Sequence, residues 1–271
     1  MAIFEERRPS PEQWGEGWDG EYAIEFRDVH KAYGRNRVLD GMTLKIPAGR
    51  ITMLMGPSGT GKSVCVAHAI GLTRPDSGDV LVEGVSVPSL DDHELLALRK
   101  EKFGVLFQDG ALFSSMSVLD NVAFPLRHNT DKSEEEIVEI ARRRLEEVGL
   151  LEAANLAPAE LSGGMRKRAG FARALAMDPS IVFFDEPDSG LDPVRTALLC
   201  QLIQEVHEDQ GGTYVVVTHD MLSARRIGEH IALLWKGRIV ADGPAHELFS
   251  SDDPFVRQFL NGESRGPLGM D

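Results

Sequence analysis

The chain has little of what several classes of protein require. Its two cysteines, Cys65 and Cys200, are too few for a disulfide framework or a zinc site. The longest apolar runs, such as Ile181–Phe184 and Ile231–Trp235, suit buried strands and are far shorter than the roughly 20 residues that cross a bilayer. Residues 1–19 are charged and lack the apolar segment of a secretory signal. We therefore expect the chain to stay in the cytosol.

Positive charge is scarce as well. The 271 residues include 43 acidic and 29 basic side chains, which gives a formal net charge of -14. A chain with a negative net charge is poorly suited to neutralising nucleic-acid phosphates or to adhering unaided to an anionic membrane surface. We therefore expect no nucleic-acid partner, and we expect any membrane role to depend on a protein partner.

One stretch carries a specific chemical signal. The segment Gly56–Ser63 reads G-x-x-x-x-G-K-S, follows the apolar run Ile51–Met55 and precedes the helix-compatible residues 64–72. This order of strand, glycine loop and helix is that of a phosphate-binding loop, although a glycine-rich turn with an incidental lysine is the alternative. Such a loop curls its N–H groups around phosphate, while Lys62 reaches the β- and γ-phosphates and Ser63 offers its hydroxyl to Mg²⁺.

Other polar residues follow predicted buried strands. Helices alternate with apolar strands along the chain, which predicts a parallel sheet covered on both faces. Ligands bind at the carboxyl ends of such strands, where the phosphate loop, Gln108, the pair Asp185 and Glu186, and His219 fall. Asp185 is placed to hold Mg²⁺, and Glu186 to polarise a water that attacks the γ-phosphate. The alternatives are a solvated acidic loop and, for His219, an ordinary structural histidine.

Together these motifs resemble the nucleotide-binding subunit of an ABC transporter over about residues 22–242. The residues that carry the resemblance are Gly56–Ser63, Gln108, Leu161-Ser162-Gly163-Gly164, Asp185-Glu186 and His219. The resemblance implies an α/β fold: a P-loop NTPase (RecA-like) core with a parallel sheet, an antiparallel β subdomain and a helical insertion. It also implies ATP and Mg²⁺ as cofactors.

The resemblance also implies a role for each matching residue. Tyr33 would stack on adenine, and Asp192 would belong to the loop between two ATP sites. The phosphates would be held by Gly56, Pro57, Ser58, Gly59, Thr60, Gly61, Lys62 and Ser63. Mg²⁺ would be held by Ser63, Gln108 and Asp185, and the catalytic residues would be Glu186, His219, Gln108 and Lys62. Ser162, Gly163 and Gly164 would bind the γ-phosphate of ATP held by the opposite subunit, and a serine cap followed by glycines at a helix start is indeed an anion site.

The predicted domains follow from the same reading. Residues 1–20 are polar and aperiodic and predict a flexible arm. The ATPase domain is expected over 21–243, with a helical subdomain at about 109–161. That subdomain includes the helix Ser133–Val148, which begins with a capping box. A C-terminal helical extension and tail is expected over 244–271.

A closer resemblance is to the ATPases that energise MCE-domain lipid transporters, including the Mce lipid importers of actinobacteria and Mla phospholipid transport. It is carried by residues 104–113, 121–127, 163–170, 185–193 and 254–262. It implies transport of phospholipid, fatty acid or sterol across the cell envelope. The implied partners are a second copy of the chain in a head-to-tail dimer, integral-membrane permeases and MCE-domain substrate-binding proteins. The implied location is the cytoplasmic face of the plasma membrane.

Two alternatives remain open. The first is the ATPase of an importer for a small polar solute; the segment Asp109–Phe113, which faces the permease in this family, fits the lipid group better. The second is a soluble ABC ATPase that acts on nucleic acid or ribosomes. Such chains usually carry two cassettes or a long coiled insertion, neither of which is visible, and the net acidity also disfavours this reading.

Overall fold

The computed structural model describes residues 21–263 and 266–267. The predicted arm over residues 1–20 lies outside the described residues. The described chain divides into two compact units, one within Met1–Leu90 and Val217–Asp271 and the other formed by Asp91–Val216. Across the described ranges, no helix has the length and apolar character needed to cross a membrane.

The first unit contains a four-stranded antiparallel sheet. Its strands, in spatial order β2-β1-β4-β5, are β2 (Asn36–Pro47), β1 (Tyr22–Tyr33), β4 (Ser77–Val82) and β5 (Val85–Ser86). Strand β1 buries Ile24, Phe26 and Val29, which form part of the core. In the sequence, the alternating pattern typical of a strand covers only Tyr22–Phe26. The observed strand continues to Tyr33, which therefore stands at the tip of the β1–β2 hairpin.

The first unit also holds the strand and helix on either side of the phosphate loop. Strand β3 (Ile51–Met55) is buried along its whole length, and helix α1 (Lys62–Ala69) follows the loop. Strand β9 (His230–Trp235) pairs parallel with β3, and β10 (Arg238–Pro244) pairs antiparallel with β9. The remaining helices are α7 (Met221–Ile227), α8 (Ala245–Phe249) and α9 (Pro254–Asn261), with a 3-10 turn at Val87–Ser89.

The second unit combines helices with strands in the spatial order β8-β7-β6. These strands are β6 (Phe103–Leu106), β7 (Ile181–Asp185) and β8 (Thr213–Thr218), of which the residues up to Val216 belong to this unit. Strands β6 and β7 are parallel. The helices are α2 (Asp92–Lys102), α3 (Val118–Asn129), α4 (Glu134–Glu147), α5 (Gly163–Leu175) and α6 (Pro193–Gln210). Short 3-10 turns lie at Leu151–Ala153 and Pro158–Glu160.

Side-chain caps fix two helix starts, and the capping box predicted at Ser133 is confirmed. The Ser133 hydroxyl accepts the Glu136 N–H at 3.3 Å, and the Glu136 carboxylate accepts the Ser133 N–H at 2.8 Å, which completes the capping box of α4. The Asp192 carboxylate accepts the N–H groups of Val194 and Arg195, both at 3.0 Å, at the start of α6. Local side-chain chemistry therefore fixes where both helices begin.

A buried arginine anchors helix α4 within the second unit. The Arg144 side chain is only 4% exposed and donates to Glu147 at 2.7 Å and to Gln210 at 2.9 Å. Its guanidinium also pairs with the Asp178 carboxylate, in the loop before β7. A buried charge is tolerated only when it is paired in this way. These bonds tie α4 to the end of α6 and to the loop that leads into β7.

Strand β6 packs so closely on α5 that only glycine fits at position 104. A Cβ at Gly104 would lie 2.3 Å from the Ala174 carbonyl oxygen and 3.0 Å from Pro179 Cγ. We predict that Gly104→Ala lowers the free energy of unfolding by about 1–3 kcal/mol, because backbone must move to admit the methyl group. Thermal denaturation measures the effect. Glu101→Ala, at an exposed position of α2, is the control and should change the melting temperature little. An equal melting temperature for both variants would contradict the close packing.

Candidate active site

The phosphate loop is shaped by two close approaches of its backbone. A Cβ at Gly56 would lie 2.3 Å from the Leu234 carbonyl oxygen, and one at Gly61 would lie 2.9 Å from Val38 Cγ1. Gly61 also has a φ of 104°, which L side chains rarely adopt. The requirement for glycine at these two positions therefore has a steric cause. The two glycines let the chain turn directly from β3 into α1.

The lysine of the loop is folded back onto the loop itself. Lys62 is 5% exposed, and its Nζ donates to the carbonyl oxygens of Gly56 at 2.8 Å and Pro57 at 2.9 Å. The Thr60 hydroxyl donates to the same Pro57 oxygen at 2.9 Å. Ser63, in the first turn of α1, is exposed. A cation held over a helix N-terminus is an arrangement that receives an anion such as phosphate.

Tyr33 is presented to solvent by a local set of polar contacts. Its side chain is 51% exposed at the end of β1. The Asp76 carboxylate accepts the Ala32 N–H at 2.7 Å and the Lys31 ammonium at 2.9 Å. Lys31 Nζ lies 5.5 Å from the centre of the Tyr33 ring. The hydrogen bond from Lys31 holds the pKa of Asp76 below its usual value, so the carboxylate is charged at neutral pH and keeps the residues before Tyr33 in place.

In the second unit, Gln108 and the acidic pair follow neighbouring parallel strands. Asp185 is the last residue of β7, and Glu186 follows it in the left-handed region with a φ of 48°. Gln108 lies just beyond β6, and its Nε2 donates to the Ser189 hydroxyl at 3.0 Å. The structure therefore brings Gln108 to the loop that begins at Glu186.

The glycines of the signature segment open helix α5. The Ser162 hydroxyl accepts the Met165 N–H at 3.3 Å and caps the helix, and Gly163 and Gly164 form its first turn. His219 is exposed and lies between β8 and α7, where Asp220 caps α7 by accepting the Ser223 N–H at 2.8 Å.

The residues predicted to hold Mg²⁺ offer oxygen atoms of the kind this ion prefers. These are the Ser63 hydroxyl, the Gln108 side-chain amide and the Asp185 carboxylate. Ser63 belongs to the first unit, and Gln108 and Asp185 belong to the second. Within the described ranges, no three His, Cys, Asp or Glu side chains cluster as a ready-made metal site. The oxygen donors of Ser63, Gln108 and Asp185 fit Mg²⁺ in kind.

The two cysteines serve packing. Both are free and buried, and burial raises the pKa of the Cys65 thiol to about 12. A thiol with so high a pKa forms little thiolate at neutral pH. The buried Cys65 thiol therefore suits packing rather than redox chemistry.

Sequence reasoning missed the basic side chains of α5 that hold the neighbouring loops. The Lys167 ammonium donates to the carbonyl oxygens of Pro187 at 2.7 Å and Ser189 at 2.5 Å, and the Arg173 guanidinium donates to Ala111 at 2.7 Å. The signal was present, because Lys167 lies on the same helical stripe as the buried Phe171. A lysine on a buried stripe needs polar partners.

Comparison with known proteins identifies the family. The family model described as ABC transporter matches residues 39–189, which is more than half of the chain. The chain belongs to this family, and it is the ATP-binding, ATP-hydrolysing subunit of a transporter. The family predicted from the motifs is thus confirmed.

Two relatives illustrate the similarity in sequence. The chain is 50% identical over 248 residues to the probable ribonucleotide transport ATP-binding protein mkl of Mycobacterium leprae (strain TN), covering 92% of this chain and 71% of the relative. It is 42% identical over 245 residues to the intermembrane phospholipid transport system ATP-binding protein MlaF of Escherichia coli (strain K12), covering 90% of this chain and 91% of the relative.

Two solved structures confirm the predicted fold. A dimeric ATP-binding cassette in a post-hydrolysis state, bound to ADP and Pi, superposes with a TM-score of 0.75 at 34% identity, covering 82% of this chain and 98% of that chain. The cbiO1 protein of Clostridium perfringens, part of the ABC transporter complex cbiONQ, superposes with a TM-score of 0.79 at 27% sequence identity. The match covers 89% of this chain and 95% of that chain.

The contacts of Lys62 generate a prediction. We expect Lys62→Ala to weaken ATP binding about 10- to 100-fold, because a hydrogen bond to a charged group contributes about 1.5–3 kcal/mol. Equilibrium titration with a fluorescent ATP analogue measures the affinity. Lys45→Ala is the control, because Lys45 is 54% exposed on β2, outside the phosphate loop. Normal affinity in Lys62→Ala would contradict the assignment of Lys62 to the phosphates.

Proposed function

We propose that this chain hydrolyses ATP to move lipids of the phospholipid, fatty acid or sterol class across the cell envelope, as the motor of an MCE/Mla-type transporter. The observation that carries the proposal is the 42% identity to a phospholipid-transport ATPase over 90% of this chain. The segments around Gln108 and Met165, which resemble the lipid group, also support it.

The surface beyond Gln108 also supports a membrane-protein partner. Phe107 and Phe113 are each 44% exposed. Phe113 is held firmly, because its N–H donates to the buried Asn121 side chain at 2.7 Å and its carbonyl accepts from the same side chain at 3.1 Å. Exposed aromatic residues, one of them held in this way, suit the apolar centre of a protein interface. We assign this surface to the permease subunits.

The working assembly in this proposal contains two copies of the chain under the permeases. Each copy supplies its phosphate loop to one ATP and its residues Ser162–Gly164 to the other, in a head-to-tail dimer. The dimeric form of the similar cassette bound to ADP and Pi supports this arrangement. Contact with the permeases would hold the chain at the cytoplasmic face of the plasma membrane, and MCE-domain substrate-binding proteins would complete the assembly.

The proposed mechanism assigns one task to each side chain. Tyr33 stacks on the adenine ring, and Lys62 moves from the loop carbonyls to the β- and γ-phosphates. Glu186 accepts a proton from the water that attacks the γ-phosphorus, and His219 donates to a γ-phosphate oxygen. Ser63, Gln108 and Asp185 would hold Mg²⁺, which would supply positive charge to the phosphates.

A second candidate function is transport of ribonucleotides. The printed name of the relative that is 50% identical favours it, and it falls within the small-solute class of importers. Because the ATPase chemistry is the same in both cases, the partners and the cargo must decide between them.

The role of Glu186 gives a direct prediction. Glu186→Gln should bind ATP with near-normal affinity and lower kcat by about 10²–10⁴-fold, because the amide cannot accept the proton from water. Steady-state phosphate release, measured beside ATP affinity, tests it. The control is Glu101→Gln, an exposed position on α2. Near-normal turnover in Glu186→Gln would overturn the general-base assignment.

The cargo is tested by isolating the native assembly. We expect affinity purification of the tagged chain, in mild detergent, to recover MCE-associated permeases together with phospholipid, fatty acid or sterol, identified by mass spectrometry. Recovery of a solute-import permease with ribonucleotide would favour the second candidate. Recovery of ribosomes would contradict both transport assignments.

A further inference from the structure

A buried lysine on α5 holds the loop that begins at the proposed general base. Lys167 is 4% exposed, in the fifth position of the helix. Its ammonium donates to the carbonyl oxygens of Pro187 at 2.7 Å and Ser189 at 2.5 Å, and it reaches that of Glu186 at 3.5 Å. An ammonium has three N–H groups, so these three carbonyls use its full donor capacity.

The loop needs such support, because its backbone is strained. The φ of 48° at Glu186 lies in a region that non-glycine residues rarely occupy and that persists only when the surroundings hold it. Residues 186–189 form a tight turn, in which the Ser189 N–H donates to the Glu186 carbonyl at 3.1 Å. Lys167 binds the carbonyls at both ends of that turn. Its ammonium therefore helps to decide where the Glu186 side chain points.

The charge of Lys167 is costly at this site, and its surroundings offset that cost. Burial lowers the pKa of Lys167, while the carboxylates of Asp188, Asp109 and Glu186 oppose the shift. An apolar side chain would fill a buried helical position without this cost. The Lys167 ammonium is instead suited to donating hydrogen bonds to several carbonyl oxygens that surround it.

The same helix also holds the residues that follow Gln108. Arg173 donates to the carbonyls of Gly110 at 2.9 Å and Ala111 at 2.7 Å. Ser189 joins the two loops, because its hydroxyl accepts from Gln108 while its carbonyl accepts from Lys167. Helix α5 therefore binds both loops of the second unit that carry predicted catalytic residues.

We propose that Lys167 is a positioning residue for ATP hydrolysis. It acts through Glu186, by fixing the loop over residues 186–189, and it links this loop to the helix that begins at Ser162–Gly164. The proposal rests on the function proposed above for Glu186. In a head-to-tail dimer, this link would make the hydrolytic loop of one site respond to the helix that closes the other site.

The test compares Lys167→Met, which removes the donors and keeps the length of the side chain, with Lys167→Arg, which keeps a cationic donor. We expect Lys167→Met to lower kcat about 10- to 100-fold, because a small misplacement of a catalytic group has effects of this size. The KM for ATP should change less than about threefold, since the Lys62 loop is intact. Lys167→Arg should give an intermediate kcat.

The matched control is Arg168→Met. Arg168 is the next residue of α5. It donates to the carbonyls of Val148 at 3.1 Å and Gly149 at 3.5 Å, just after the end of α4. This variant also removes side-chain bonds from α5 to backbone carbonyls, and it should keep kcat within about threefold of wild type. If Lys167→Met does not fold, Lys167→Gln, which keeps a neutral donor, replaces it with the same thresholds.

A double variant separates positioning from general support of the fold. In the Glu186→Gln background, Lys167→Met should lower kcat by less than about threefold, because residues that act as a unit are not additive. A full additional loss there, an equal loss in Arg168→Met, or a kcat near wild type in Lys167→Met would overturn the positioning role. Near-normal turnover in Glu186→Gln alone would instead overturn the proposed function of Glu186.

Discussion

Buried lysine ammoniums bonded to backbone carbonyls hold the two loops on which this protein depends. In the first unit Lys62 donates to Gly56 and Pro57, and in the second unit Lys167 donates to Pro187 and Ser189. Both loops need backbone conformations that side-chain packing alone would not maintain. In each case a single flexible side chain satisfies several carbonyls that would otherwise face the interior of the loop.

The two lysines differ in what they are free to do. Lys62 lies under a loop tip whose residues Ser58 and Gly59 are exposed, so its ammonium can exchange carbonyl oxygens for phosphate oxygens without rebuilding the fold. Lys167 lies inside a helix with its acceptors on a loop of the same unit, and exchange would leave those carbonyls without that donor. The Lys62 ammonium is therefore suited to binding phosphate, and the Lys167 ammonium to holding the loop over residues 186–189. Both form the same kind of hydrogen bond, from an ammonium to backbone carbonyls.

Much of the fold was predictable because its signals are local. A glycine loop between a buried strand and a helix requires only its own residues, and the caps at Ser133 and Asp192 need only neighbouring N–H groups. The full length of β1 was not predictable in this way. Its outer half follows a bulged register with β2 and β4, so the alternation that identifies a strand is broken before Tyr33.

In the candidate site, too, only the features with a local sequence signal were predictable. Gln108 and the acidic pair could be inferred from where buried strands end, because the ends of parallel strands meet at one edge. The bonds of Lys167, Arg173 and Asp76 could not, since each joins a side chain to the backbone of a segment distant in sequence. Such contacts leave no periodic pattern; only an unexpected polar residue on a buried stripe marks them.

The two relatives are named for transport of different cargoes, ribonucleotides and phospholipids. The architecture of the site explains how related ATPases can serve both. In the proposed mechanism the residues assigned to ATP act on phosphate, water and a metal ion, and none of them is assigned to the transported molecule. A motor of this kind can therefore keep its hydrolytic residues while its partners change. The cargo should be reflected instead at the proposed contact with a permease, to which the exposed Phe107 and Phe113, in the segment around Gln108, are assigned. In the proposal, permease contact at these aromatic side chains would be joined to hydrolysis through Gln108, a predicted catalytic residue. That surface, rather than the phosphate loop, is where a lipid transporter and a ribonucleotide transporter should diverge.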